Sequence, residues 1–298
     1  MKLNLICSDK NSGGAARPRN IGLNVSIGNY ILFIDSDDAL TATALEEMYN
    51  LSQKFDVDVV YCEKFFSVDE TVKQIHLRND LNLSYGEQHG GFVKENTLEN
   101  VELPLLIRKF CNEHYEMPPW DKFVKREVLI QNNITFPSLR VYDDLVWTFK
   151  VFCHSKNILR APIATYIHRY NSGSITSDKG SPEKNITFWT GPVIDGLKIL
   201  DDFMGEFEFF RKNFVYRYAV LDFFARLQFR PFMKFTFQVP PAYIYAVLNM
   251  HNNQKLGENN VLISYLLSVI NSQQKILMNT QQQMLELQQK INRFTVTG

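Results

Sequence analysis

The chain has 298 residues, 45% hydrophobic and 21% charged, with 32 basic and 32 acidic side chains and a formal net charge of zero. That is a globular composition with length enough for one large domain or two smaller ones. A neutral chain lacks the basic surface of a dedicated nucleic-acid binder, so no nucleic-acid partner is expected.

Met1 to Cys7 alternates like a short strand. The apolar start is short and is broken at once by Ser8-Asp9-Lys10, so no signal peptide is expected. Ser8 to Asn20 reads as a loop holding Gly13-Gly14 and Arg17-Pro18-Arg19-Asn20. Its arginines suit an exposed turn or guanidinium forks aimed at a phosphate or base. Ile21 to Ser26 predicts a helix ended by Gly28.

Tyr30-Ile31-Leu32-Phe33-Ile34 is an uninterrupted apolar run, as in a strand buried on both faces. It ends in Asp35-Ser36-Asp37-Asp38, three carboxylates in four residues. Clustered charge at the end of a buried strand needs a neutralising partner. Mg²⁺ or Mn²⁺ with a diphosphate is one, held where open α/β sheets place their ligands. A solvated acidic turn capping the next helix is the other reading.

A helix from Thr41 to Phe55 follows, with Leu45, Met48 and Leu51 on one face, then a buried strand from Val57 to Cys62. Glu63 to Glu99 shows no clear pattern, and Val101 to Phe110 predicts a helix interrupted near Pro104. Trp120 and Lys122 stand before a basic helix start. They read either as a packed aromatic with a snorkelling lysine or as a wall for a sugar ring. Ile134 to Pro137 is extended. Asp143-Asp144 opens a helix running through Val151. The pair either complements the helix dipole or supplies a general base whose pKa is raised by like charge. Ile158 to Tyr170 predicts two strands around Pro162, with His168 an ordinary strand histidine.

Beyond Ser177 the chain turns helical and aromatic, with Phe203, Phe207, Phe210, Phe214, Tyr218, Leu221 and Phe224 at core spacing. Arg211, Lys212, Arg217, Arg226, Arg230 and Lys234 lie among them, so peripheral contact with a membrane surface stays open. No segment is apolar enough to span a bilayer, since the best stretch, Phe235 to Met250, carries Pro240-Pro241. Cys7, Cys62, Cys111 and Cys153 lack metal-type spacing, so reduced thiols in the cytoplasm are expected. From Val261 a seven-residue apolar repeat at Ile270, Leu277, Met284 and Ile291 predicts a terminal helix that pairs with a second copy or packs on its own domain.

Taken together, Ala16-Arg17-Pro18-Arg19-Asn20-Ile21-Gly22 and Gly28 to Asp38 resemble the family 2 glycosyltransferases of GT-A fold. There an "ARN-x-G" segment leads into "G-x-Y-I-x-F-L-D-x-D-D". Trp120-x-Lys122, Phe136-Pro137, Asp143-Asp144, Tyr166 to Arg169 and Ser174-Ile175 match later landmarks in order. The likeness covers roughly residues 9 to 177. It implies an α/β fold, GT-A-like and Rossmann-related, with a mostly parallel sheet flanked by helices. The implied domains are a partial transferase domain over residues 1–177, a helical region over 178–260 and a terminal helix over 261–298.

The resemblance also implies site roles. Asp35 and Asp37 form the "DxD" pair, with Asp37 on a Mn²⁺ or Mg²⁺ ion and Asp35 on the ribose or the metal's shell. Asp38 is a helper. Arg17 or Arg19 faces the donor nucleotide. Asp144 is the base, with Asp143 in place of the family's usual Glu, and Trp120 and Lys122 line the acceptor side. The implied reaction is inverting transfer from a nucleotide-diphospho-sugar to a glycan or lipid-linked glycan, in surface polysaccharide or lipopolysaccharide synthesis. The family's opening strand "S-I-I-I-P-x-Y-N" and the acidic strand that reads the base have no counterpart. About two strand–helix units are therefore expected to be missing, and with them a covered sheet edge and full activity. Two other readings compete. One is a non-catalytic nucleotide-sugar-binding or assembly subunit. The other is a haloacid-dehalogenase-type phosphatase with Asp35 as nucleophile.

Overall fold

A computed structural model describes residues 4–7, 13–69, 74–78, 93–169, 180–236, 238–240, 242–243, 246–247 and 277–288. Two compact units divide between Asp178 and Lys179.

The first unit is built on a mixed seven-stranded sheet in the order β1-β6-β3-β7-β2, with β4 added to β3 and β5 to β7. The strands are β1 (Tyr30–Ile31), β2 (Ala39–Leu40), β3 (Val59–Asp69), β4 (Gln74–Arg78), β5 (Thr97–Glu99), β6 (Lys122–Lys125) and β7 (Ile158–Arg169). A mostly parallel sheet is expected, but among the described residues only the central β3–β7 pairing is parallel and the other five are antiparallel, because β2, β4, β5 and β6 are short strands that run back along that central pair and β1 joins the sheet through β6. The helices are α1 (Ala16–Val25), α2 (Ala44–Phe55), α3 (Leu103–Cys111), α4 (Arg126–Gln131) and α5 (Asp143–His154). Met48 of α2 packs with Val57, Val60, Leu159 and Ala161 in the core against the sheet. Leu45, expected on that face, is exposed.

β7 is one long strand, where a break at Pro162 predicts two. Cys62 pairs with Ala161 but Lys64 with Ala164, so β7 carries an extra residue there. Proline cannot donate to a ladder, and a bulge accommodates it without ending the strand. The unpatterned Glu63–Glu99 stretch contains the end of β3, then β4 and β5. Its polarity at both ends serves an internal charge cluster. Arg160 Nη2 donates to Glu63 Oε2 at 3.0 Å, and its Nε donates to the other Glu63 oxygen. Glu99 lies 3.5 Å from Arg160 and also accepts from Lys109 and, at 3.2 Å, from Tyr115. Buried charges persist when paired in this way. Pro104 does not interrupt α3 but sits in its first turn, where a missing N–H has no helical acceptor to lose.

The start of the chain departs from expectation. Residues 4–7 are irregular and Leu5 is 83% exposed, so the predicted strand is not formed by them. Tyr30 to Ile34 is not buried on both faces. Only Tyr30–Ile31 forms a ladder, with β6 on one side, and Ile34 is 49% exposed. The cause is position: among the described residues β1 is an edge strand.

The second unit holds α6 (Pro182–Glu206), α7 (Glu208–Lys212) and α8 (Phe214–Thr236). Ser181 caps α6 by accepting from the Lys184 N–H at 3.3 Å. Phe203, Phe210, Leu221 and Phe224 are buried as expected, whereas Phe214 and Tyr218 are exposed. Arg217 Nε is 2.6 Å from Asp201, and Arg226 pairs with Asp222 within α8. The side chains of Arg230 and Lys234, and residues Ile270, Ile291 and Ser174-Ile175, lie outside the described residues. Residues 277–288 are helical and exposed throughout. Among the described residues no helix is long and apolar enough to cross a membrane.

Candidate active site

The chain leaves β1 and turns at the carboxylates, where the Asp38 N–H donates to the Asp35 carbonyl at 3.1 Å. Asp37 is exposed at the tip and Asp35 is half-buried. Asp38 turns back to β7: Oδ2 accepts from the Tyr166 hydroxyl at 2.6 Å and Oδ1 from the Arg169 N–H at 2.8 Å. Asp38, a helper in the sequence reading, therefore fastens the turn to the sheet. The Tyr166 hydroxyl also accepts from the Asp35 N–H at 3.2 Å. Burial first, then the Asp38 carboxylate, push its phenol above the ordinary tyrosine value.

The helix before β1 begins at Ala16, five residues earlier than its apolar spacing predicts. Pro18 lies in the first turn, which tolerates it. Arg17 and Arg19 are thus two helical positions apart, about 200° around the axis, and cannot face the same way. Arg17 is exposed. Arg19 turns inward: Nη2 donates to Asp35 Oδ1 at 2.7 Å and Nη1 to Asp143 Oδ2 at 3.2 Å. Its guanidinium lies 5.2 Å from the Phe136 ring centre, and Phe136 stacks on Trp147 at 4.9 Å. Asn20, next along the helix, is bonded to the Phe136 backbone through both amide groups, each at 2.8 Å. The Phe136-Pro137 landmark is thus the seat of the arginine.

Asp143 and Asp144 open α5, after Tyr142 has turned the backbone through the left-handed region at φ +72°. Asp143 is buried, and burial, followed by the neighbouring Asp144, pushes its carboxyl up to about 6 against the pull of Arg19. Burial also raises Asp144, opposed by the Leu145 N–H that its Oδ1 accepts at 2.8 Å, and by Arg19 and Lys122. A helix start would lower both carboxyls were they solvated. Desolvation wins here, and it moves them toward values useful to a general base.

The expectation that Trp120 and Lys122 line an acceptor surface is not met in this structure. Lys122 is 0% exposed. Its ammonium donates to the Glu116 and Pro118 carbonyls at 2.8 and 2.7 Å and to Asp121 Oδ1 at 2.5 Å, which uses all three hydrogens. Trp120 is 7% exposed, with one face stacked on Tyr166 at 4.3 Å and Phe65 against it edge-on at 4.9 Å. Both residues hold the 116–122 segment in place behind the carboxylate turn.

Among the described residues no three His, Cys, Asp or Glu side chains converge as a metal cage. Two carboxylates at Asp35 and Asp37 still suit Mg²⁺ or Mn²⁺, which is usually held by one or two carboxylates with substrate phosphates completing the shell. Sequence reasoning named the carboxylates but missed Tyr166 as their anchor. The signals were its place four residues past Pro162 in an apolar run and at the head of the Tyr166 to Arg169 landmark, neither of which points to the carboxylates.

Residues 2–115 match the family model for glycosyl transferase family 2, a segment that includes Arg19 and Asp35–Asp38 and ends before Asp143. Glycosyltransferase GlyG of Streptococcus pneumoniae is 26% identical over 171 residues, 57% of this chain and 53% of that protein. The poly(ribitol-phosphate) beta-glucosyltransferase of Bacillus spizizenii is 29% identical over 195 residues, 64% of this chain and 27% of that protein. The chain thus spans about half the length of the first and about a quarter of the second. The crystal structure of S. aureus TarS 1-349 in complex with UDP-GlcNAc covers 88% of this chain and 61% of its own, at 19% identity and TM-score 0.48. Over residues 2–115, on a mixed sheet flanked by helices, the chain is thus similar to glycosyl transferase family 2.

Proposed function

We propose that the chain transfers a sugar, with inversion and metal dependence, from a nucleotide-diphospho-sugar to an acceptor hydroxyl. The observation that carries this reading is the Arg19 guanidinium, which joins Asp35 of the first carboxylate motif to Asp143 of the second. Asp144 takes the proton of the acceptor hydroxyl. The freed oxygen bonds to the anomeric carbon from the face opposite the diphosphate. The bond from that carbon to the phosphate oxygen breaks, and its electron pair leaves on the nucleoside diphosphate. Asp143 and Arg19 orient the site, and Arg19 brings positive charge to the donor side. A Mn²⁺ or Mg²⁺ ion held by Asp37 and Asp35 would supply further charge for the leaving diphosphate.

The names of the relatives support an acceptor in the class of surface polymers, either a polyol-phosphate or polysaccharide hydroxyl or a lipid-linked glycan. The exposed 277–288 helix, with Leu277, Met284 and Leu287 on heptad positions, supports pairing with a second copy. Peripheral attachment at the inner face of a membrane rests on that acceptor class alone. The test is calorimetric titration of UDP, GDP and dTDP with and without Mn²⁺, followed by nucleoside-diphosphate release from the matching sugar donors. Binding that needs Mn²⁺ agrees with the reading; no binding of any of the three overturns it.

A further inference from the structure

Tyr166 makes contacts that the reading above leaves unused. Its ring lies flat on Trp120, at 4.3 Å between centres and 10° between planes. Its hydroxyl donates to Asp38 and accepts from the Asp35 N–H. One phenol therefore grips both ends of the Asp35–Asp38 turn, whose backbone closes through the Asp38 N–H. The β2–β7 register, with Leu40 opposite Tyr166, brings the ring there.

We propose that Tyr166 is a positioning residue: it fixes the direction in which the turn presents Asp35 and Asp37, and Trp120 fixes Tyr166. A stacked ring has little rotational freedom, so the hydroxyl meets the turn at a set height. That is what a second layer of hydrogen bonds does for ligating carboxylates. The consequence is that Trp120, buried behind Tyr166, governs donor affinity without touching the donor.

The inference rests on the proposed function for its ligand but not for its local effect, and the experiment separates the two. In Tyr166→Phe the stack is kept and the hydroxyl is lost. Without ligand, amide exchange at Asp35 should quicken several-fold while the β3–β7 core keeps its protection and the melting temperature changes little. With ligand, the Kd for Mn²⁺ plus UDP, or whichever nucleotide the wild type takes, should rise about tenfold. A residue that only stabilised the fold would lower the melting temperature and leave that Kd unchanged. Trp120→Phe should show the same pattern, weaker, and serves if Tyr166→Phe does not fold. Its effect should not add to that of Tyr166→Phe in the double variant. Unchanged exchange at Asp35, or an unchanged Kd in a binding-competent protein, overturns the proposal. A wild type that binds no nucleotide overturns the transferase reading, and the exchange result then decides the role of Tyr166.

Discussion

The Arg19 guanidinium stands between Asp35 and Asp143, at 2.7 and 3.2 Å, so two carboxylates 108 positions apart share one cation. Arg19 lowers the pKa of Asp143 and Asp144, while burial raises both. The two should titrate as a coupled unit, with Asp143 at about 6 and Asp144 raised by burial. Transfer needs the unprotonated form, so kcat/KM should rise with pH through that range. Arg19→Met removes a lowering influence, and the acidic limb should move up by about one pH unit. A pH–rate profile checks this; an unmoved limb contradicts the assigned geometry.

The two aspartates should separate by role. Asp144→Asn should cut kcat by roughly a hundredfold or more while leaving donor binding intact, as expected for a lost general base. Asp143→Asn keeps an acceptor oxygen for Arg19 and should cost less. Steady-state kinetics with the donor Kd measured separately decides it. A larger loss in Asp143→Asn would reverse the assignment.

Metal removal gives an independent check on the acidic turn. Chelation should abolish nucleotide binding, and Mn²⁺ should restore it. Asp37→Asn should lose that restoration, while far-UV circular dichroism stays unchanged, because Asp37 is an exposed turn-tip residue and the turn is fastened through Asp38. Metal-independent binding in the wild type would rule out the metal reading of Asp37.

The carboxylates were legible because charge at the end of an apolar strand is conspicuous, and Asp143-Asp144 because the pair opens an amphipathic helix. The choice between Arg17 and Arg19 was not legible. It depends on α1 starting at Ala16, and a helix whose first turn reads Ala-Arg-Pro-Arg has no apolar spacing to announce it. Glu63 and Arg160 are 97 positions apart, and local pattern cannot show that the polarity of one answers the other. Trp120 and Lys122 illustrate a different limit. An aromatic beside a lysine is the same string whether it lines a groove or fills a core, and only burial decides.

Lys122 and Asp121 offer a prediction about stability. Asp121 is buried, and one of its oxygens, Oδ2, has no hydrogen-bond partner. Burial, opposed by Lys122, pushes its carboxyl up to about 7. A carboxyl raised on folding binds more protons in the native state than in the unfolded one between its two pKa values. This group's contribution to stability should therefore fall as pH rises from about 4 to about 7. Lys122→Met removes the nearest cation and leaves a charged Asp121 buried above that range. The loss at pH 8 should be about 3 kcal/mol or more, and clearly smaller at pH 5, where the carboxyl takes up a proton. Adding Asp121→Asn removes the stranded charge, so the double variant should recover part of the loss at pH 8 and little at pH 5. Urea unfolding of the wild type and the two variants at both pH values tests this. A Lys122→Met loss that is the same at pH 5 and pH 8 would mean that the lysine holds the Glu116 and Pro118 carbonyls and does little for the carboxylate.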